Sequence, residues 1–296
     1  MAIKLLQYLL IAAFVIYGAY FIYNIVQAKK NNGFEDEKVY KPIITGFVTN
    51  FFDTLGIGSF APTMFMFKAL KHNIPDKKIP GTLNVADCLP VLLEAIIFIG
   101  AVKVEPITLI SLIAASVVGS YLGAGIISRM KERTLQLVMG IALLVSAGLF
   151  AAGVMGIMPI GGTEIGLSGG KLILAIVIFF ILGALMTAGI GLYAPAMVVV
   201  YSMGMNPAAA FPIMMGSCAL LMPVASARFI KEDNYAKKNS ILIGVFGVLG
   251  VIVAKMFFDG LDVNKLKILV IIVVTVTAIM MLKAAFKKRP DADIEN

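Results

Sequence analysis

Acidic and amide side chains occur inside long apolar stretches in the first half of the sequence, where burial is costly. Asn50 and Asp53 share one face of a predicted helix. Asp87 and Glu94 lie about two turns apart on the next one, with Asn84 on the same polar stripe. Ionisable groups at membrane depth are functional by default, and burial favours the neutral form of a carboxyl group. These residues therefore suit reversible protonation or cation binding.

A short glycine- and proline-containing motif occurs twice. Residues 56–62 (GIGSFAP) match residues 189–195 (GIGLYAP), 133 residues later. Glycine pairs predict breaks in the helices, and unpaired backbone at that depth must be buried or line a wet cavity. Pro62 and Pro195 mark helix starts, because proline is favoured in the first turn. Two converging helix N-termini offer free N–H groups and positive dipole ends, which predicts an anion site without arginine or lysine.

Hydroxyl groups recur downstream of both breaks. The pairs Gly81-Thr82 and Gly216-Ser217 place hydroxyls at similar points of the following helices. We expect these hydroxyls to bind the solute, the alternative being a bond to a carbonyl of their own helix. Tyr193 can donate to an oxyanion or simply pack. The candidate substrate-binding residues are Gly56, Gly58, Ser59, Pro62, Thr82, Asn84, Gly189, Gly191, Tyr193, Pro195 and Ser217.

The candidates for coupling solute movement to an ion are Asp53, Asp87 and Asn50. Asp53 ranks first because it lies just before the first break. Glu94 is left open between a structural and a functional role.

Composition places these residues in a membrane protein. The chain is 60% hydrophobic and 14% charged, with a mean hydropathy of +0.96, whereas soluble domains carry about 25% charge. The net charge of +8 comes from basic clusters beside apolar stretches, so no nucleic-acid partner is predicted. His72 is the only histidine and is expected in a solvated loop, and Cys88 and Cys218 are expected to be core thiols. The sequence thus predicts no metal centre, no cofactor and no histidine-based catalysis.

The apolar segments predict an all-α polytopic fold with an internal repeat. Each half has a broken stretch followed by three full helices. The predicted divisions are an N-terminal transmembrane helix and cytoplasmic linker (1–41), a first repeat (42–155), a linker (156–171), a second repeat (172–286) and a cytoplasmic tail (287–296).

Basic residues predict how the halves are oriented. If each broken stretch is a re-entrant hairpin, each half crosses the membrane three times and the two repeats have inverted topology. That arrangement puts most of the 25 basic residues on the cytoplasmic side. Full crossing of the broken stretches would remove this bias. The hairpin arrangement therefore predicts a cytoplasmic C-terminus and an outside N-terminus.

These motifs resemble the TauE/SafE family of sulfite and organosulfonate permeases. The resemblance rests on the two glycine breaks with their prolines, on Gly81-Thr82 and Gly216-Ser217, and on residues 119–123 (GSYLG) leading to Arg129. It covers about residues 42–285, with the N-terminal helix as an addition. Ser59-Phe60 and Leu192-Tyr193 replace glycines usual in the family, which narrows the pocket. The resemblance implies a carrier of sulfite, sulfonate or another small anion in a prokaryotic cytoplasmic membrane, driven by an H⁺ or Na⁺ gradient.

Other functions remain open from the residues alone. A proton- or cation-coupled carrier would use Asp53 and Asp87 to bind a cationic or neutral substrate. An intramembrane aspartyl protease would need two aspartates, but the sequence lacks a G-x-G-D motif and the second break has no acid. A receptor or assembly factor would need a soluble effector domain, and none is visible. The expected partners are a small anion and the lipid bilayer. The sequence does not determine whether the chain forms a homo-oligomer.

Overall fold

Helices make up most of the residues that the computed structural model describes, which are 2–30, 33–56, 58–99, 102–157, 161–257 and 263–286. Within these ranges there is no β-strand, and an all-α fold is confirmed. The helices are α1 (Ala2–Lys30), α2 (Tyr40–Thr54), α3 (Phe60–Ala69), α4 (Ile79–Phe98), α5 (Pro106–Ile127), α6 (Glu132–Val154), α7 (Gly169–Met186), α8 (Tyr193–Ser202), α9 (Ala210–Lys231), α10 (Lys237–Phe257) and α11 (Val263–Phe286).

Seven helical segments in the described ranges are long and apolar enough to cross a bilayer, which confirms a multi-pass membrane protein. A span needs about 20 apolar residues to cross about 30 Å of hydrocarbon. The seven segments are Lys4–Lys30, Asp76–Phe98, Pro106–Ile127, Glu132–Val154, Gly169–Met186, Pro207–Lys231 and Lys237–Met256.

The two broken stretches form the helix pairs α2–α3 and α7–α8. α3 and α8 have 10 residues each, and α2 has 15, so these three are too short to cross a membrane alone. α7 has 18 residues and is long enough by length and composition, although it was predicted as one arm of a hairpin.

Glycines shape the breaks between these helices. Gly56 and Gly58 have φ of 83° and 87°, and Gly189 has φ of 93°. This left-handed region strains residues with a side chain, which explains glycine at these positions. Pro62 and Pro195 are the third residues of α3 and α8, so the helices start two residues earlier than the prolines indicated. Proline is still tolerated there, because the first turn has no intrahelical partner for its N–H groups.

Close contacts at small residues give the relative directions of the packed helices. α2 and α10 run parallel, since a Cβ added to Gly46 would overlap the backbone of Ile243 and one added to Gly250 would overlap that of Phe47. The equivalent helices of the other half pack alike. α7 runs parallel to α5, with Gly183 against Ser116 and Gly123 against Thr187. The packing pattern is thus repeated with the two halves exchanged.

The equivalent helices α4 and α9 run antiparallel. Ser226 near the end of α9 donates to the carbonyl of Asn84 near the start of α4, at 2.8 Å. At the other end, Gly216 near the start of α9 lies against Ile99, just after α4. Two full crossings of the broken stretches would make α4 and α9 parallel. Their antiparallel packing supports the predicted inverted halves, whose orientation in the membrane stays a prediction.

Cysteine labelling tests this orientation. We expect a membrane-impermeant maleimide to label Lys77→Cys and Lys231→Cys from the cytoplasmic face and Thr163→Cys from the outer face. All three positions are exposed, whereas the native thiols Cys88 and Cys218 are buried. Labelling of Lys77→Cys and Thr163→Cys from the same face would rule out the inverted arrangement.

The expectation of a solvated His72 is wrong, because its side chain is fully buried. Nδ1 lies 2.7 Å from Asn239 Oδ1 on α10, and Nε2 lies 3.2 Å from Thr45 Oγ1 on α2. Glu37 Oε2 lies 3.6 Å from Nδ1 and accepts from the backbone N–H of Asn73. The loop after α3 is therefore tied to both α2 and α10.

The burial of His72 predicts a pH dependence of stability. Loss of solvation lowers the pKa of His72 below its ordinary 6.5, assisted by Lys41 and opposed by Asn239 and Glu37. The unfolded chain then binds a proton more readily than the folded chain, so the free energy of unfolding should decrease as pH falls below about 6.5. Thermal unfolding of His72→Gln should show a smaller decrease than the wild type over the same pH range. Equal decreases would contradict this assignment.

Candidate functional site

The tips of the two helix pairs meet at two small cavities. The acid cavity has a volume of about 20 Å³ and is lined by Asp53, Gly58, Ser59, Phe60, Val91, Met186, Gly191, Leu192, Tyr193 and Cys218. The helix-start cavity is also about 20 Å³ and is lined by Gly58, Phe60, Ala61, Ser146, Gly191, Tyr193 and Ala194. Gly58, Phe60, Gly191 and Tyr193 line both, so the repeated motif separates the two cavities.

The surrounding helices place different side chains on the two sides of the repeated motif. Val91 of α4 and Cys218 of α9 line the acid cavity, and Ser146 of α6 lines the helix-start cavity. α3 packs against α11, and α8 packs against α6. The break regions therefore lie between the α4–α9 pair and the α6–α11 pair.

The helix-start cavity collects backbone donors from both halves. The first i→i−4 bonds of the two short helices run from the Thr63 N–H to the Ser59 carbonyl and from the Ala196 N–H to the Leu192 carbonyl, each at 2.9 Å. The N–H groups of the preceding residues have no partner within their own helices. Of those preceding residues, Phe60, Ala61, Tyr193 and Ala194 line this cavity.

Two helix N-termini without a basic side chain lie at this cavity. None of the described residues that line it is charged. Helix N-termini carry roughly half a positive elementary charge. Two helix starts beside one cavity are the arrangement on which the predicted anion site depends, and the Ser146 hydroxyl is a further donor there.

Three buried carboxyl groups lie on the acid side. Glu94 Oε1 accepts from Thr54 Oγ1 at 2.8 Å, and Glu94 Oε2 accepts from the Tyr193 hydroxyl at 3.2 Å. Ser59 and Tyr193 both interact with the Asp53 carboxyl group. Tyr193 belongs to the second half, so it connects the acids of the first half to the other motif.

Asp87 forms a separate pair with Asn50. Asn50 Nδ2 donates to the Gly46 carbonyl at 3.0 Å and to Asp87 Oδ1 at 3.1 Å. Asp87 Oδ2 and Asn50 Oδ1 are buried and have no hydrogen-bond partner among the described residues. Burying an ionised carboxylate costs much free energy when one of its oxygens has no hydrogen-bond partner. A bound proton or cation would satisfy the pair.

The structure brings together five of the residues predicted for the site: Asp53, Gly58, Ser59, Gly191 and Tyr193 line the acid cavity. Gly56, Gly189, Pro62 and Pro195 belong to the turns and first turns that shape it. Asn50 and Asp87 adjoin it through α2 and α4.

The predicted hydroxyl pair is not brought to the cavities. Thr82 Oγ1 donates to the Lys78 carbonyl at 2.7 Å and accepts from the Ala236 N–H at 2.9 Å, so it matches the alternative of a bond within its own helix. The 133-residue offset of the motifs, which Pro90 and Pro223 also keep, aligns Ser217 with Asn84 and not with Thr82.

Asn84 and Ser217 share a different property. Asn84 Nδ2 donates to the Pro80 carbonyl at 2.9 Å, and its Oδ1 has no partner among the described residues. The buried Ser217 hydroxyl likewise has none there. Neither residue lines the two cavities.

Sequence reasoning missed two residues at the site and left a third undecided. Ser146 lies in an apolar helix outside any motif, and Cys218 was expected to be a core thiol. The polarity of Glu94 was the only sequence signal for a role at the site, because the contact between Glu94 and Tyr193 depends on how the halves pack. The adjacency of Cys218 to Ser217 was the one available signal for the thiol.

The site is closed to a solute in this conformation. A volume of about 20 Å³ holds about one water molecule. Sulfite and larger oxyanions do not fit. Binding of such a solute between the two breaks would require them to move apart.

Comparison with known proteins gives one finding. A family model described as "Sulfite exporter TauE/SafE" matches residues 2–150, about half of the chain. No curated protein and no solved structure matches the chain. The matched range begins in α1, which corrects the expectation that α1 is an addition to the family's helices. The second half lies beyond the matched range.

Proposed function

The chain belongs to the sulfite exporter TauE/SafE family, and from this we propose that it transports a small oxyanion such as sulfite or a sulfonate. The anion binds where the two helix starts meet, and an ion gradient drives its movement. The protein resides in the cytoplasmic membrane of a prokaryote, with its N-terminus outside and its C-terminus in the cytoplasm.

The observation that carries this proposal is the shared lining of the helix-start cavity. Phe60 and Ala61 of α3 and Tyr193 and Ala194 of α8 contribute to one small space. Broken helices that point their N-termini at an anionic group are a recurrent arrangement in transporters with inverted repeats. Backbone donors bind without introducing a fixed positive side chain, so the anion can also be released.

Coupling is assigned to the acid cavity and its neighbours. Asp53 lines the acid cavity, which only the repeated motif separates from the anion site, and Ser59 and Tyr193 interact with its carboxyl group. A neutral Asp53 tolerates an anion nearby, whereas an ionised Asp53 repels it. Protonation of Asp53, or cation binding there, therefore favours anion binding. Asn50 and Asp87 support a second position for the ion.

Transport by purified protein in liposomes tests the proposal. We expect uptake of at least one member of a panel of sulfite, small sulfonates, sulfate, thiosulfate and acetate, and faster uptake with a pH or sodium gradient. Empty liposomes provide the baseline. Failure to move any small anion under all gradients, with correctly oriented and folded protein, would contradict the proposal.

A second candidate function is supported by the acids themselves. Asp53, Asp87 and Glu94 are all buried, and no basic side chain is among the described residues lining the acid cavity. A cationic or neutral substrate would bind Asp53 and Asp87 directly in this case. Adding small amines and neutral solutes to the same panel separates the two, since this carrier would move them and ignore the anions.

A further inference from the structure

A stripe of polar side chains fills the interior of the α2–α3 pair. It begins near His72, in the loop after α3, and ends at Asp53 beside the acid cavity. Every member between these ends is at most 3% exposed. The stripe consists of Thr45, Thr49, Asn50, Ser59 and Thr63.

Hydrogen bonds occur at the outer end and in the middle of this stripe, where Thr49 Oγ1 also donates to the Thr45 carbonyl at 2.8 Å. Thr45 Oγ1 lies 3.2 Å from His72 Nε2. Thr63 Oγ1 donates to Thr49 Oγ1 at 2.9 Å, which links α3 to α2. Ser59 lies near the inner end and interacts with the Asp53 carboxyl group.

The second helix pair lacks this stripe. At the 133-residue offset of the motifs, the equivalents of Thr45, Thr49, Asn50, Ser59, Thr63 and Asp53 are Ile178, Leu182, Gly183, Leu192, Ala196 and Met186. None of these six carries a polar side chain. Both helix pairs have the same arrangement of two helices joined at a break, and the second pair forms it with apolar side chains at these positions. Closing a helix pair therefore does not require the hydroxyls of the first.

The two ends of the stripe differ in environment. The His72 end lies beside Glu37, Lys41 and Asn239, with the ring of Phe67 packed on the imidazole. This is the side that its basic residues predict to be cytoplasmic. The Asp53 end lies at the tips of the two helix pairs. The stripe thus runs from the loop after α3 to the site, and the described residues of the α7–α8 pair hold no equivalent stripe.

We propose that this stripe conducts protons between the cytoplasmic side and Asp53. The inference rests on the function proposed above, because the proton it delivers is the coupling ion. Each hydroxyl accepts a proton on its oxygen and releases its own proton to the next acceptor, so no atom is gained or lost. The Thr45 and Thr49 hydroxyls are one helical turn apart, with about 5–6 Å between Cβ atoms, and the path requires a water molecule to bridge this gap. The apolar interior of α7–α8 blocks the same movement from the other face.

Deuterium exchange of the Asp53 carboxyl group tests this path without any transported anion. The full-length protein is reconstituted in lipid at mildly acidic pH and transferred to D₂O, and the carboxyl C=O band is followed by infrared spectroscopy. The band that is missing in Asp53→Asn is assigned to Asp53. We expect exchange in Thr49→Val/Thr63→Val to be slower by about tenfold or more, which corresponds to a barrier higher by about 1.4 kcal/mol.

Two further variants act as controls. Thr49→Ser/Thr63→Ser keeps both hydroxyls and should exchange at the wild-type rate, which separates the loss of hydroxyls from any packing defect. Thr275→Val makes the same change in α11, where the hydroxyl donates to the Ile271 carbonyl one turn earlier, at 2.7 Å. It should also leave the rate unchanged.

Exchange at the wild-type rate in Thr49→Val/Thr63→Val would overturn the proton path. The absence of any exchangeable Asp53 band in the wild type would overturn it too. If Asp53 exchange is slowed as expected while no anion is transported, the proposed function fails and the proton path stands.

Discussion

Asp53→Asn is expected to abolish anion accumulation driven by a pH or sodium gradient while leaving anion exchange between equal concentrations intact. The amide keeps the shape of the side chain and can still interact with Ser59 and Tyr193, but it cannot carry a proton. Accumulation ratios in liposomes should fall to the value without a gradient, whereas counterflow of labelled anion should remain within a few-fold of wild type. Such a separation identifies Asp53 as the coupling group.

The asymmetry between the halves supports this assignment. Met186 occupies the position equivalent to Asp53 in the second half. An acid present in only one half is not needed to close a break that both halves form. Its burial at 2% exposure is nevertheless costly. Function is the most direct explanation for keeping it.

A matched control and two contrary outcomes sharpen the experiment. Glu164→Gln makes the same acid-to-amide change in an exposed loop and should transport like the wild type. Full gradient-driven accumulation by Asp53→Asn would make Asp53 a structural acid. Loss of binding as well as accumulation would instead favour the carrier in which Asp53 holds the substrate.

Local signals in the sequence were sufficient to predict the helices and their breaks. Apolar segments long enough to span a bilayer predicted the membrane helices, and paired glycines predicted the breaks, where Gly56, Gly58 and Gly189 adopt positive φ. These features depend on the chain near each residue. The repeat also predicted that Gly58 and Gly191 would face a shared site, because both breaks have the same local sequence.

Features that depend on packing between the halves were less accessible. Nothing in the sequence around Glu94 indicates that its carboxyl group accepts from Tyr193, 99 residues away. Thr82 was paired with Ser217 because each follows a glycine, but the backbone of Ala236 binds the Thr82 hydroxyl. His72 lies in a polar stretch, and only the approach of α10 buries it. Local polarity could not show which polar residues would be covered by distant helices.

Gly191→Val is expected to abolish transport with little effect on folding. Gly191 does not adopt a positive φ, and a Cβ added there would meet no atom within 4 Å. The valine side chain would therefore extend into the space around the two cavities, each of about 20 Å³, and crowd the backbone donors that bind the anion. Transport in liposomes should fall to the level of empty vesicles, while the unfolding midpoint in detergent stays close to wild type.

Comparison with other glycines separates blocked space from backbone strain. Gly58→Val should also abolish transport, but Gly58 has φ of 87°, so this variant should lose on the order of 1–3 kcal/mol of stability as well. Gly148→Val provides the matched control, because Gly148 lies on the exposed face of α6 and has open space around it. That variant should transport normally. If Gly191→Val also transported normally, the breaks would be kinks away from the solute path, and the helix starts could not form the anion site.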